Sequence, residues 1–455
     1  MKKAVRLAAC VIFYLLFLLA DGAVLGADSR GYIEMIAARE PVYPLFLAAF
    51  RCLFNNGAEL FAAAFIQSLL QGLAVFFTVD YVREKFQVSL VPEILMYLTH
   101  AGAALLIRFA SERGAVFSTM IMTEGITMSL WLIFMVLLFK AVYSEKYRDL
   151  YWVPLLLAIM FDTRKQMAAG YVIFVIVIFF TGIRRFEKKK WLKRTALAIA
   201  LSMLSIIVAV AGTRLYNLML RGEFAQNTRD MNLVLTTTLY VADEDDGRLI
   251  DDPAAKEVFD ETVKSLKSSE SNISFAPSDL SGLAEHYEEH YDVITIDTTK
   301  DLFEDNAVKR GFAPGMEAQK EADRMSAVIV KSLMADNLGK YMKIYAASLL
   351  TGFVNTIAHR NRFLNIVAFA LYAAYIFMLI KCYRKKELRD TADTALTVLI
   401  AIAVNTGVTA AVIFCQSRYM IYNMAIFYML FILMGFNLWG SGFKNEGIKR
   451  HNKKA

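Results

Sequence analysis

The sequence predicts an all-α polytopic membrane protein with about ten transmembrane helices, membrane-surface helices in the first external loop, and a small extracytoplasmic domain inserted between spans seven and eight. Three observations predict it. Of the 455 residues 57% are hydrophobic and 13% aromatic, and the mean hydropathy is +0.43, values that belong to a chain embedded in lipid. Apolar runs long enough to cross a bilayer alternate with short polar turns. The net charge of +7 comes from Lys and Arg gathered in those turns, which is the positive-inside pattern and not that of a nucleic-acid-binding surface.

The N-terminus has the basic start, apolar middle and small residues of a signal peptide. Its apolar run nearly reaches the roughly 20 residues of a membrane span, and many spans follow, so we read it as an uncleaved first span. Lys2, Lys3 and Arg6 place its start in the cytoplasm, and Asp28 then lies outside. Residues 27–58 form the first external loop. Asp28, Tyr32 and Glu34 open a segment with helical spacing, Pro41-Val42-Tyr43-Pro44 breaks it, and an apolar helix from Leu45 to Phe54 follows.

Later spans are expected at residues 60–79, 91–107 and 121–139, and the fifth and sixth form a hairpin around Phe161-Asp162-Thr163-Arg164-Lys165. The most basic turn, Ile183 to Arg194, precedes the seventh span at 196–211 and should be cytoplasmic. From residue 216 to 337 the chain turns polar and acidic, which is long enough for a separate domain. Residues 254–266 and 317–333 have helical periodicity. Residues 338–362 read as an interfacial helix and connection, and three spans at 363–380, 395–414 and 422–439 complete a C-terminal module, 363–455, with a basic tail. Both termini are then cytoplasmic. Cys10, Cys52, Cys382 and Cys415 lie far apart and read as packing residues.

This topology gathers a set of ionisable residues at the outer face: Asp28, Glu34, Glu124, Arg164, Lys165, Arg214 and Arg418, the last followed by Tyr419. Charges at bilayer depth are costly and face a cavity or a partner. Each also has a plainer reading. Asp28 suits a helix cap, Glu124 a solvated helix end, and the cations suit headgroup snorkelling. Arg108, Glu112 and Arg113 read as interface charges, His100 as a packed histidine, and His286 with His290 as a solvated helix face whose spacing also suits a metal.

On Asp28, Tyr32 and Glu34, read as D-x-x-x-Y-x-E, and on the run Arg39-Glu40-Pro41-Val42-Tyr43-Pro44-Leu45, the chain resembles polytopic glycosyltransferases of the GT-C superfamily. That group includes bacterial aminoarabinose transferases and protein O-mannosyltransferases. Thr123-Glu124, Arg164-Lys165 and Arg418-Tyr419 have counterparts in it. The resemblance implies inverting transfer of a sugar from a polyprenyl-phosphate donor to an extracytoplasmic acceptor, a cell-envelope glycan, lipid or protein. Such transfer needs a general base and cations for the departing phosphate. Asp28 is the implied base. Arg164, Lys165 and Arg418 are the candidates for the phosphate, and Tyr32, Glu34, Glu124 and Tyr419 are further binding candidates. Asp28 with Glu124 offers oxygen ligands for Mg²⁺ or Mn²⁺.

Two features depart from that group. Asp28 is followed by Ser29 where many members have a second acid, and the acidic insertion lies between spans seven and eight where relatives carry a soluble domain at the C-terminus. A lipid or solute transporter and a pyrophosphate-linked polysaccharide polymerase or ligase share the overall pattern. Transporters place broken helices near the midplane, whereas these charges cluster at one face.

Overall fold

The computed structural model describes residues 2–54, 57–111, 113–358 and 361–439. Glu112 and the basic tail after Trp439 lie outside the described residues. Among the described residues the regular structure is helical apart from one parallel bridge between Val24 and Met120. Helix α1 (Lys3–Asp21) leads to two short loop helices, α2 (Ser29–Ile33) and α3 (Val42–Leu53). The first module continues with α4 (Ala58–Phe86), α5 (Leu90–Ala110), α6 (Glu124–Tyr143), α7 (Arg148–Phe161), α8 (Ala169–Arg185) and α9 (Lys188–Arg221). The inserted domain holds α10 (Asn232–Val241), α11 (Pro253–Ser268), α12 (Leu280–Asp292), α13 (Asp301–Lys309) and α14 (Met316–Leu333). Helices α15 (Leu338–Ile357), α16 (Arg362–Arg384), α17 (Arg389–Val412), α18 (Ser417–Met420) and α19 (Met424–Trp439) close the described chain.

Nine helical segments among the described residues are long and apolar enough to cross a membrane, against the ten or so expected. The difference is α7. Its 14 residues reach only about 21 Å, short of the roughly 30 Å of hydrocarbon. It nevertheless runs back alongside α6, because Arg164, just past its end, meets Glu124 at the start of α6 at 2.8 Å.

Several boundaries move for local reasons. Helix α3 begins at Val42, not Leu45, because prolines in a first turn give up N–H groups that the helix does not use. The seventh span extends to 34 residues, since no proline interrupts it and Gly222, at φ +76, ends it. Where α4 crosses α1 the backbones nearly touch: a Cβ on Gly72 would lie 2.7 Å from Val11 Cα.

Trp131, Phe134, Phe139, Phe174, Tyr375 and Phe427 fill the main core. The Trp131 indole N–H donates to Asn423 Oδ1 at 3.0 Å, fastening α6 to the start of α19. The basic turns meet at one end of the bundle. There Arg6 pairs with Glu93 at 2.5 Å, Lys3 with Asp80 at 2.8 Å, Lys85 with Asp390 at 3.0 Å and Lys190 with Glu145 at 2.9 Å. The first loop and the inserted domain occupy the other end.

The domain has its own core, in which Leu239, Phe259, Tyr287, Phe303, Met325 and Ile329 are buried. Ile344 and Ala347 of α15 and Phe414 belong to that same core. Helix α15 is therefore not a free interfacial helix: its first half supports the domain, and Val354 and Ile357 enter the bundle core. The expected helices at 254–266 and 317–333 are α11 and α14. Asp252 caps α11, accepting from Ala255 N–H at 2.9 Å. His286 bonds Tyr240 Oη at 2.8 Å through Nδ1, so its ring is spent on packing the domain. Cys10, Cys382 and Cys415 are buried as expected, whereas Cys52 is exposed.

Candidate active site

The first loop is pinned to the segment that opens α6. Val24 N–H donates to Thr119 O at 2.9 Å and Ile121 N–H to Val24 O at 2.8 Å. Gly26 permits the approach, since a Cβ there would lie 2.3 Å from Met122 Sδ. Ser29 Oγ donates to Ile121 O at 2.7 Å and accepts from Gly26 N–H at 2.8 Å. Gln67 holds the same segment from α4: its Nε2 donates to Met120 O at 2.9 Å and Ser118 O at 3.2 Å, and its Oε1 accepts from Tyr43 Oη at 2.7 Å. Asp28 is thereby fixed near Thr123 and Glu124.

Helix α2 then makes barely more than one turn and reverses. Ile36 N–H donates to Gly31 O and Met35 N–H to Tyr32 O, the paired bonds of a Schellman ending, with Met35 at φ 56 where glycine is usual. The reversal brings Arg39 back across α2. A Cβ on Gly31 would lie 3.0 Å from Arg39 Nε, so the bare backbone makes room for that guanidinium. Arg39 Nη2 donates to Asp28 Oδ1 at 2.6 Å, and its charge lies 4.7 Å from the centre of the buried Tyr32 ring. The Asp28 side chain makes no capping bond. Its carboxylate is taken by guanidinium groups, and the capping reading is corrected.

The far end of the chain completes the cluster. Arg418 Nη1 lies 3.6 Å from Asp28 Oδ2, and Arg418 Nη2 donates to Tyr419 Oη at 2.6 Å. Arg164 donates to Thr123 Oγ1 at 2.8 Å and pairs with the fully buried Glu124 at 2.8 Å. The Tyr419 ring has both guanidinium groups near it, Arg164 at 4.9 Å and Arg418 at 4.7 Å. Gln166 Nε2 donates to Tyr419 O at 2.7 Å, which locks α18 to the α7–α8 turn.

Burial pushes the Asp28 carboxyl up, but Arg39, Arg418 and Arg164 outweigh it and hold the group below the usual carboxylate range. Asp28 is thus ionised at neutral pH. Two carboxylates face three guanidinium groups here, leaving the cluster net positive at the mouth of an apolar bundle.

Asp28, Tyr32, Glu124, Arg164, Arg418 and Tyr419 are brought together. Glu34 and Lys165 are not. Glu34 pairs with Arg30 at 2.6 Å on the exposed side of α2. Lys165 pairs with Asp230 and approaches Glu40 at 3.9 Å, at the junction with the inserted domain. Arg214 stacks over Phe224 at 5.7 Å. The sequence reading missed Arg39 as a site residue, although Asp28 needs a nearby cation and Arg30 and Arg39 were the ones at hand. It also passed over Gln166 and Gln67, whose roles rest on backbone carbonyls that no sequence pattern marks.

Asp28 and Glu124 do not fit a divalent cation, because each already faces a guanidinium whose charge opposes one. Among the described residues no three His, Cys, Asp or Glu side chains gather as a metal site.

No curated protein and no solved structure gives a significant match to the chain. The model of the dolichyl-phosphate-mannose-protein mannosyltransferase family matches residues 38–209, less than half of the 455 residues. The matched stretch contains Arg39, Glu124 and Arg164, with Asp28 just before it and Arg418 far beyond. With the nine apolar helices, that match supports a GT-C-like membrane glycosyltransferase.

Proposed function

We propose that the protein transfers a sugar from a polyprenyl-phosphate donor to an extracytoplasmic acceptor, with inversion at the anomeric carbon and Asp28 as general base. The observation that carries this reading is the Asp28 carboxylate set beside Arg39 and Arg418, with Arg164 near. The acceptor hydroxyl gives its proton to Asp28 as its oxygen bonds to the anomeric carbon, and the bond from that carbon to the phosphate oxygen breaks. The transition state separates a positive sugar from a negative phosphate, and Arg418 and Arg164 stabilise the departing charge. A base held below its usual range suits a late transfer, when bond formation has acidified the hydroxyl.

An apolar cavity supports a lipid-borne donor. It has a volume of about 220 Å³, lies between α1 and α5, and shares Tyr14 and His100 with a smaller one of about 30 Å³ lined by Tyr422, Ser118 and Ile107. The smaller lies within the bundle beside Tyr422, and Ala9, Cys10, Phe13 and Leu98 line the larger, which reaches Arg6. The apolar walls of the larger suit part of a prenyl chain, which loses no hydrogen bonds to water there.

The test is transfer or donor hydrolysis by purified protein in nanodiscs, across a panel of polyprenyl-phosphate and polyprenyl-pyrophosphate sugars, with Arg418→Ala beside the wild type. We expect turnover with monophosphate donors, falling about 100-fold or more in Arg418→Ala. Turnover with pyrophosphate donors alone would turn the assignment toward a polymerase or ligase. A folded protein that binds no donor in the panel would end it.

A further inference from the structure

At the end of the bundle opposite Asp28, the final turns of α6, α8 and α16 and the first turn of α17 enclose a cavity of about 670 Å³. Tyr143, Arg184, Arg185, Tyr383, Lys386 and Arg389 line it, together with three acids. The acids are spoken for. Glu145 is held by Lys190 at 2.9 Å. Asp390 is held by Arg185 at 2.5 Å and Lys85 at 3.0 Å. Asp393 accepts from Arg184 at 2.9 Å, Arg185 at 2.7 Å and Tyr383 Oη at 2.9 Å.

Lys386 and Arg389 are different. Among the described residues no carboxylate lies within ion-pair reach of either, and both are exposed to the cavity mouth. The cavity therefore carries positive charge that the protein itself leaves uncompensated. Its walls are also organised. The Arg184 guanidinium stacks 4.8 Å from the Tyr383 ring and that of Arg185 4.6 Å from the Tyr143 ring, which fixes both planes and leaves N–H edges available. Topogenic lysines need only face water. A recess with fixed aromatic and guanidinium walls and two unpaired cations at its rim is more than that requires.

We propose that this cavity is a second anion site, which binds a phosphate group through Lys386 and Arg389, with Arg184 as a third donor. The phosphate can belong to an anionic phospholipid headgroup at the membrane surface or to a soluble phosphate. Either source presents the same oxygens to the same donors. The site is separate from the Asp28 cluster and does not depend on the chemistry proposed there.

The experiment uses full-length protein in phosphatidylcholine nanodiscs, with and without phosphatidylglycerol, and adds inorganic pyrophosphate to the phosphatidylcholine sample as the soluble probe. Bound phosphatidylglycerol is counted by native mass spectrometry, and pyrophosphate binding is read as a thermal shift. The expected result is selective retention of phosphatidylglycerol, or saturable stabilisation by pyrophosphate, weakened about 10- to 100-fold in the Lys386→Ala/Arg389→Ala double variant, the loss expected for charge-assisted bonds. The Lys386→Arg/Arg389→Lys variant should keep the binding, which guards against a topology effect, and Asp28→Asn should leave it unchanged. Retention by phosphatidylglycerol alone assigns the lipid source, and stabilisation by pyrophosphate alone assigns the soluble one. Binding no better than to phosphatidylcholine and no pyrophosphate shift, or binding indifferent to the double alanine change, would overturn the proposal.

Discussion

Arg39 Nη2 donates to Asp28 Oδ1 at 2.6 Å, across a reversal of the chain that Met35 makes in the left-handed region. Asp28 is thus held by a residue of its own loop, more closely than by Arg418 at 3.6 Å from the far end of the chain. Arg39 helps keep that carboxyl below its usual range, so removing it raises the group's affinity for a proton. Arg39→Ala should shift the acidic limb of the pH–rate profile to higher pH and lower kcat at neutral pH by about 100-fold. A profile that stays in place while the rate falls would show that Arg39 acts on something other than Asp28.

Gln67 has three partners at once: Tyr43 of α3 and the carbonyls of Ser118 and Met120 in the segment that opens α6. Replacing it with leucine leaves the buried Tyr43 hydroxyl without its partner and takes one donor each from Ser118 O and Met120 O, which keep Ser68 Oγ at 3.3 Å and Met122 N–H at 2.9 Å. We expect Gln67→Leu to lower stability by about 1–3 kcal/mol, the cost of one unsatisfied buried polar group. Its thermal midpoint in detergent is the check, and a midpoint equal to that of the wild type would mean that the first loop is held by other contacts.

Gly72 sets the distance between α1 and α4. A Cβ there would lie 2.7 Å from Val11 Cα and 3.0 Å from Cys10 O, and backbone atoms cannot turn aside. Gly72→Ala should cost about 1–3 kcal/mol by overpacking, seen as a lower thermal midpoint, whereas alanine at Gly102, which has nothing within 4 Å, should be tolerated. Equal midpoints for the two would contradict the close approach.

Asp162, which follows α7, is pushed up to about 7 by burial, with the neighbouring Glu40 adding to the rise and Thr213 and Lys165 opposing it. An unfolded aspartate titrates near ~3.9. Between those values the folded chain holds the extra proton, so this group's contribution to stability falls as pH rises through that window and its penalty is complete above the folded value. Asp162→Asn removes the penalty and keeps an acceptor for Thr213. The midpoint of the variant minus that of the wild type should grow as pH is raised from about 5 to about 8. A constant difference would place the titration elsewhere.

Most of the fold was legible because a bilayer leaves few choices: long apolar helices and basic turns are read directly from composition. What the sequence hid was length. A hydropathy window sees the lipid-facing middle of α9 but not the polar turns that continue it at each end. For the site, Asp28, Glu124, Arg164 and Arg418 were visible as charges in apolar surroundings, yet their partners were not. Glu34 and Lys165 carry the same kind of charge in the same stretches, but the turn at Met35 and the contact with Asp230 direct them outward. Arg39 was hidden for the converse reason, since only the reversal of α2 shows where its side chain goes.

The most direct test is Asp28→Asn in purified protein, with single-turnover transfer and donor binding measured on the same preparation. Asparagine keeps the shape and an acceptor for Arg39 while removing the proton-accepting charge. The account predicts that transfer falls about 100- to 10,000-fold while the donor's Kd changes little, because the phosphate is held by Arg418 and Arg164. Wild-type turnover in Asp28→Asn, or a loss explained wholly by weaker donor binding, would contradict the assignment of Asp28 as the base.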